Sequence, residues 1–373
     1  MKFIDLEAQR ARLSGRIEEA VKRVIEGGQY ILGPEVTLFE EKLAEYVGVK
    51  HAIACGNGTD ALLMPLMAKK IGAGDAVFCP SFTFAATAEV AALAGAVPVF
   101  VDIDRYSYNM DPLQLEACIK MIKAQGKLRP RAIIAVDLFG APANYAQIAE
   151  IAAREGLFLI EDAAQAMGGK SAGKKCGAFG DVATTSFYPA KPLGCYGDGG
   201  AMFTNDDSLA EVLRSILFHG KNASQYDNVR IGLNSRLDTI QAAILLEKIA
   251  ILEEEIQARQ RIALRYTQAL ADVVEVPSLL EGEERSAFAQ YTIETDRRDE
   301  LKQHLHDKNV PTMVYYVKPL HLQRAYEDFP RQKGGLPVCE ERARRVLSLP
   351  MHPYLTEEAQ NTIITAIRTF FVH

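Results

Sequence analysis

Short apolar runs at 51–55, 76–79, 97–103, 131–137, 157–161, 182–187 and 200–204 alternate with longer stretches such as 59–71, 84–95, 111–124 and 144–155, whose apolar residues recur at helical spacing. Runs this short, bounded by turn residues, read as buried strands, and the intervening stretches as helices that cover them. The alternation predicts an α/β domain with a largely parallel sheet. Ahead of it, residues 8–27 read as one amphipathic helix. After it, residues 236–272 form a long helical pattern in which Leu245, Ile249, Leu252 and Ile256 recur, with Glu253-Glu254-Glu255 as a solvated face. A polar connection from Pro277 to Ser286 leads to a smaller α+β segment over 288–373 that ends in a helix. With 373 residues the chain is too long for one compact core. Two domains are expected, 1–245 and 246–373.

Composition narrows the classes. The formal net charge of −6, without a dense Lys/Arg cluster, gives no electrostatic reason to expect nucleic acid. At the N-terminus, Asp5 and Glu7 stand where a signal peptide would carry its apolar segment. The longest apolar stretch, 76–101, is interrupted by Pro80, Glu89 and Pro98 and reads as strand, helix and strand, so no membrane partner is expected. Six cysteines show no CxxC spacing, and those at 55, 79 and 118 lie among apolar residues. That usage suits reduced thiols in a cytoplasmic protein.

Candidate chemistry concentrates at the ends of the expected strands. Asp162 closes the run Leu157-Phe158-Leu159-Ile160-Glu161-Asp162, at the edge where open α/β sheets present ligands. It can pair with a pyridine nitrogen, or simply cap a following helix Ala163–Ala166. Gln165 would project from the same helical face and reach a phenolic oxygen. Lys191 follows Ser186-Phe187-Tyr188-Pro189-Ala190 and precedes Pro192 and Gly194, so it belongs on a turn. A solvated surface lysine is the plain alternative, but it leaves the uncharged, small-residue surroundings unexplained. An amine with little solvation loses its proton readily, as one that condenses with an aldehyde must.

Gly56-Asn57-Gly58-Thr59 follows a strand and opens a helix, where backbone N–H groups and the helix dipole favour an anion and Thr59 adds a hydroxyl. An ordinary Asn-Gly turn with an N-cap has the same appearance. Ser186 is a second phosphate candidate, or a plain strand serine. Phe84 can stack on a flat ring or pack in the core. Other motifs fail. Gly168–Lys175 has Lys175 where a phosphate-loop Ser/Thr should stand and reads as a surface hairpin. His304 and His306 are two apart on a helix and point to different faces, so no metal site is expected.

Taken together, Gly28–Glu35, Asn57–Leu62, Glu161–Gln165, Ser186–Lys191, Gly197–Gly200 and Asn234–Ala243 resemble the nucleotide-sugar aminotransferases over nearly the whole chain. The resemblance implies the pyridoxal phosphate-dependent type I transferase fold of aspartate aminotransferase. It implies pyridoxal 5′-phosphate held by Gly58, Thr59, Phe84, Asp162, Gln165, Ser186 and Asn234, with Lys191 as the amine that binds it and then moves protons. It also implies a cytoplasmic homodimer with composite sites, in which Asn234 reaches the partner's cofactor phosphate. Arg236, Tyr315, Tyr316 and His321 are then expected at the sugar. Arg236 can alternatively be a helix-start ion pair, and many relatives have His-Tyr where this chain has Tyr315-Tyr316. L-Glutamate and a UDP-linked keto-sugar are the implied substrates. Within the family, Lys191–Gly200 and Leu349–Leu355 resemble the branch that aminates a 3-keto uronate for O-antigen polysaccharide. Members that dehydrate sugars carry histidine at the lysine position, so Lys191 favours amination.

Overall fold

A computed structural model describes residues 1–222, 227–278 and 283–372. The polar connection expected over 277–286 lies in part outside these residues. The first strands are β1 (His51–Cys55), β2 (Asp75–Pro80), β3 (Val97–Val101), β4 (Arg129–Val136) and β5 (Phe158–Asp162). A hairpin of β6 (Lys170–Ser171) and β7 (Lys174–Lys175) follows, then β8 (Val182–Ser186) and β9 (Gly200–Thr204). Seven of them form one sheet in the order β1-β9-β8-β5-β4-β2-β3. From β8 to β3 every pairing is parallel, and β9 runs antiparallel to both its neighbours. Each of these seven overlaps one of the expected apolar runs.

The sheet is buried on both faces, as a parallel sheet must be. Ala76 and Phe78 of β2 point into one core, with helices Pro112–Gln125 and Tyr145–Glu155; Val77 and Cys79 point into the other, with helices Gly58–Ala68 and Ala86–Leu93. Strands β4, β5 and β8 lie side by side, so Val136, Asp162 and Thr184 stand in register at their C-terminal ends.

Beyond the sheet come β10 (Glu283–Arg285), β11 (Tyr291–Glu294) and β12 (Val346–Leu349). β10 pairs with the β6–β7 hairpin, while β11 and β12 pair antiparallel. Helices Leu252–Leu270, Arg298–Asp307 and Glu357–Val372 cover the β11–β12 pair, and a separate core gathers Tyr266, Leu270, Tyr291, Ile293, Leu301, Leu347, Ile363 and Ile367. All six cysteines are buried, and none forms a disulfide among the described residues. Among the described residues, no helix is long and apolar enough to cross a membrane.

Three local expectations change. The helix expected over 8–27 is two, Leu6–Arg12 and Arg16–Gly27, broken where Gly15 takes φ 81°. The pattern over 236–272 is likewise two helices, Thr239–Ile249 and Leu252–Leu270. The three glutamates occupy the first turn of the second helix, where its dipole favours them. They are not a plain solvated face. Glu253 pairs with Arg285, Glu254 pairs with Arg12, and Glu255 is buried, accepting from Gln9 Nε2 at 2.9 Å and from the Tyr354 hydroxyl.

Candidate functional site

The C-terminal ends of β5 and β8 bring Asp162 and Lys191 within electrostatic reach of each other. The Asp162 carboxylate is buried; Oδ1 accepts from Ala164 N–H at 3.2 Å and Oδ2 from the Thr87 hydroxyl at 3.2 Å. Residues 164–168 form turns, so Asp162 caps no helix there and the capping alternative falls away. Burial raises its pKa, and Ala164 N–H, the Lys191 ammonium and Thr87 oppose that rise. Lys191 sits on a turn, its N–H donating to Tyr188 O at 2.9 Å. Loss of solvent lowers the pKa of its amine, with Asp162 pulling the other way. It is no ordinary surface lysine.

Gln165 is oriented by the backbone. Phe139, held at φ 60°, donates its N–H to Gln165 Oε1 at 2.6 Å, so the amide NH₂ is the donating end. That amide also engages the Tyr316 hydroxyl, whose pKa is raised by burial and by the nearby Asp162 charge. Tyr316 meets Phe82 edge-on, with ring centres 6.0 Å apart.

At the start of helix Gly58–Ala68, Asn57 is the N-cap, accepting from Asp60 N–H at 2.8 Å. Gly58 lies hard against β8: a Cβ there would stand 2.7 Å from Ser186 Cβ. The helix N-terminus, Thr59 and Ser186 therefore share one spot, and a glycine is what lets them approach. Phe84 is 61% exposed, so it is not a core aromatic but a free ring face beside the strand ends.

Among the described residues, Arg236 makes no ion pair at the helix start. It donates from Nη2 to Asn234 Oδ1, lies with its guanidinium 5.0 Å from the Phe218 ring centre, and leaves its buried Nε without a partner among the described residues. Asn234 is exposed. Tyr315 is half-buried beside Tyr316 and Phe3. His321 lies five residues beyond Tyr316. It is 1% exposed, with Nδ1 2.7 Å from Ser81 Oγ and Nε2 3.3 Å from Glu340 Oε1. With both ring nitrogens engaged, His321 joins the 315–322 segment to the end of β2.

Thr87 escaped the sequence reading, although it follows Phe84 by three positions; only the fold shows its hydroxyl meeting Asp162. Behind Asp162, acceptor or thiol atoms of Asp137, Glu161 and Cys176 lie within 4.8 Å of one another. Glu161 accepts from Gly177 and Phe179 N–H at 2.7 Å each, and Asp137 Oδ1 from Ala143 N–H and the Tyr145 hydroxyl. Burial pushes Asp137 up to about 6 and raises Glu161, as two carboxyls sharing a proton require.

A desolvated amine, a buried carboxylate, an amide donor, a glycine-opened helix N-terminus and an exposed ring face form one donor set. They fit a phosphorylated pyridine aldehyde: the carboxylate suits a protonated ring nitrogen, the helix start a phosphate, and the amine an aldehyde carbon.

The chain belongs to the DegT/DnrJ/EryC1/StrS aminotransferase family, whose pattern matches residues 12–368. It is 48% identical over 367 residues to a UDP-2-acetamido-2-deoxy-3-oxo-D-glucuronate aminotransferase of Pseudomonas aeruginosa, covering 98% of this chain and 99% of that one. It is 44% identical over 375 residues to a pleiotropic regulatory protein of Geobacillus stearothermophilus, covering 100% and 98%. Among solved structures, a DegT DnrJ EryC1 StrS aminotransferase from Brucella abortus superposes with a TM-score of 0.99 at 64% identity, over the full length of both chains.

Proposed function

We propose that this chain is a pyridoxal phosphate-dependent aminotransferase that moves an amino group from L-glutamate to a UDP-linked 3-keto-sugar. The substrate we favour is UDP-2-acetamido-2-deoxy-3-oxo-D-glucuronate, with the product supplying surface polysaccharide. One observation carries the reading: the desolvated Lys191 amine, on the turn after β8, and the buried Asp162 carboxylate, at the end of β5, lie within electrostatic reach of each other. The substrate follows from the Pseudomonas relative and from Arg236, whose planar fork can hold a uronate carboxylate.

Once bound, pyridoxal phosphate supplies an aldehyde that takes up the amino group and a ring that accepts electrons. Asp162 keeps a positive charge on the ring nitrogen. Gln165 donates to the phenolic oxygen, and Phe84 covers one face. Gly58, Thr59 and Ser186 receive the phosphate, joined by Asn234 of a second copy of the chain. Lys191, its pKa lowered by burial, takes the proton from the donor α-carbon and returns one to the sugar carbon. Tyr315 and Tyr316 line the sugar side.

A homodimer is in keeping with the apolar side chains left exposed near Asn234: Ile231 at 86%, with Tyr30, Ile31 and Leu32 from the N-terminal part. We assign residues 1–245 to cofactor binding and 246–373 to the helix and smaller unit that complete the site. The name of the Geobacillus relative favours a second reading, a cofactor-binding regulator without turnover. Lys191 beside Asp162 weighs against it.

The test incubates purified protein with L-glutamate and a panel of UDP- and dTDP-linked keto-sugars, and analyses the products by mass spectrometry. An amino-sugar formed from the UDP-linked uronate, with release of 2-oxoglutarate, is expected. No amine transfer to any sugar would favour the regulator.

A further inference from the structure

Behind the turn that carries Lys191 lies another buried lysine. Lys248, on the helix Thr239–Ile249, is 2% exposed. Its Nζ donates to Gly194 O at 2.6 Å and lies 4.2 Å from the ring centre of Tyr196. Seven residues earlier, on the same side of this helix, Gln241 grips the same turn. Tyr196 N–H donates to Gln241 Oε1 at 2.8 Å, and Gln241 Nε2 donates to Tyr196 O at 3.3 Å.

The turn is closed at its neck. Cys195 N–H donates to Phe187 O at 2.8 Å, and the Cys195 thiol donates to the same carbonyl at 3.1 Å. Gly194 folds back so tightly that a Cβ there would stand 2.6 Å from Pro189 O and 2.7 Å from Tyr188 O. Lys191 is at the tip of this closed loop. Lys248 and Gln241 grip the neck from outside it.

Burying an amine is costly unless its donors are used. Here burial pulls the Lys248 amine down to about 8, opposed by Glu255 and Cys195. A methionine would fill the same space without that penalty, so what the lysine adds is its hold on the Gly194 carbonyl. Hydrogen bonds to charged groups are among the stronger ones in a protein.

We propose that Lys248, assisted by Gln241, is a positioning residue for Lys191, fixing the neck of the 187–196 loop so that the reacting amine stands opposite Asp162. The proposal rests on the reading of Lys191 given above.

The test begins with cofactor-free protein and compares wild type with Lys248→Met by hydrogen–deuterium exchange. Protection at Lys191 and Cys195 is expected to fall about tenfold, the size set by one lost charge-assisted bond, with β4 and β5 unchanged. In the cofactor-loaded enzyme, kcat is expected to fall about tenfold while the keto-sugar KM stays within about threefold. Unchanged loop protection would overturn the proposal, as would loss of protection throughout the molecule, because that marks a residue needed only for folding. If Lys248→Met does not fold, Gln241→Leu is read in the same way and decides the matter. Loosened loop amides in a protein whose wild type transfers no amine would uphold the grip and remove the reading of the site.

Discussion

Thr87 donates its hydroxyl to Asp162 Oδ2 at 3.2 Å, from the first turn of the helix that begins two residues after Phe84. This bond joins the segment that carries the exposed aromatic to the carboxylate expected to face the cofactor ring. Thr87→Val keeps the shape and removes the donor. A bond to a charged group contributes about 1.5–3 kcal/mol, so cofactor affinity should fall about 10- to 100-fold. Titration of cofactor-free protein with pyridoxal phosphate, followed by absorbance, checks this; unchanged affinity would show that Thr87 does not tune Asp162.

Arg236 bears on which sugar is used. Its guanidinium lies against Phe218 with the buried Nε unpartnered among the described residues, and its planar fork suits a carboxylate. Arg236→Ala should lower kcat/KM for a keto-uronate about 10- to 100-fold while changing that for a neutral keto-sugar much less. Equal losses on the two substrates would remove the carboxylate from the account.

His352 makes stability depend on pH. Its ring is buried with Nδ1 unpartnered among the described residues, and burial followed by the Arg259 cation pushes its pKa down to about 4. The unfolded chain therefore binds more protons than the folded one between about pH 6.5 and 4. The contribution of neutral His352 is complete above pH 6.5 and is lost as pH falls toward 4. Over that window it amounts to about 3 kcal/mol. Thermal melting of wild type and His352→Asn across this range should give curves that converge toward acid. Parallel curves would rule out His352 as the source.

The sheet was legible in the sequence because each strand carries a short apolar run, as Phe158-Leu159-Ile160 of β5 and Ala132-Ile133-Ile134-Ala135-Val136 of β4 illustrate beside the site edge. Lys191 stood out for the same reason, as a charge within a stretch of small residues and prolines. What stayed hidden depends on contacts distant in sequence. Nothing near Glu255 announces that Gln9 and Tyr354 will meet it, and the periodicity of 8–27 does not register the left-handed turn at Gly15. Nothing near His321 in the sequence shows that Ser81 and Glu340 will engage its ring. Phe139 is missed because its contribution to Gln165 comes from a backbone N–H, which no side-chain pattern encodes.

The central claim is that the amine of Lys191, desolvated and within electrostatic reach of Asp162, is the group that captures the cofactor. Reduction of cofactor-saturated protein with borohydride, followed by digestion and mass spectrometry, tests it most directly. The account predicts a pyridoxyl group on the peptide containing Lys191, lost in Lys191→Ala. A pyridoxyl group on a different lysine, or on none, would contradict it.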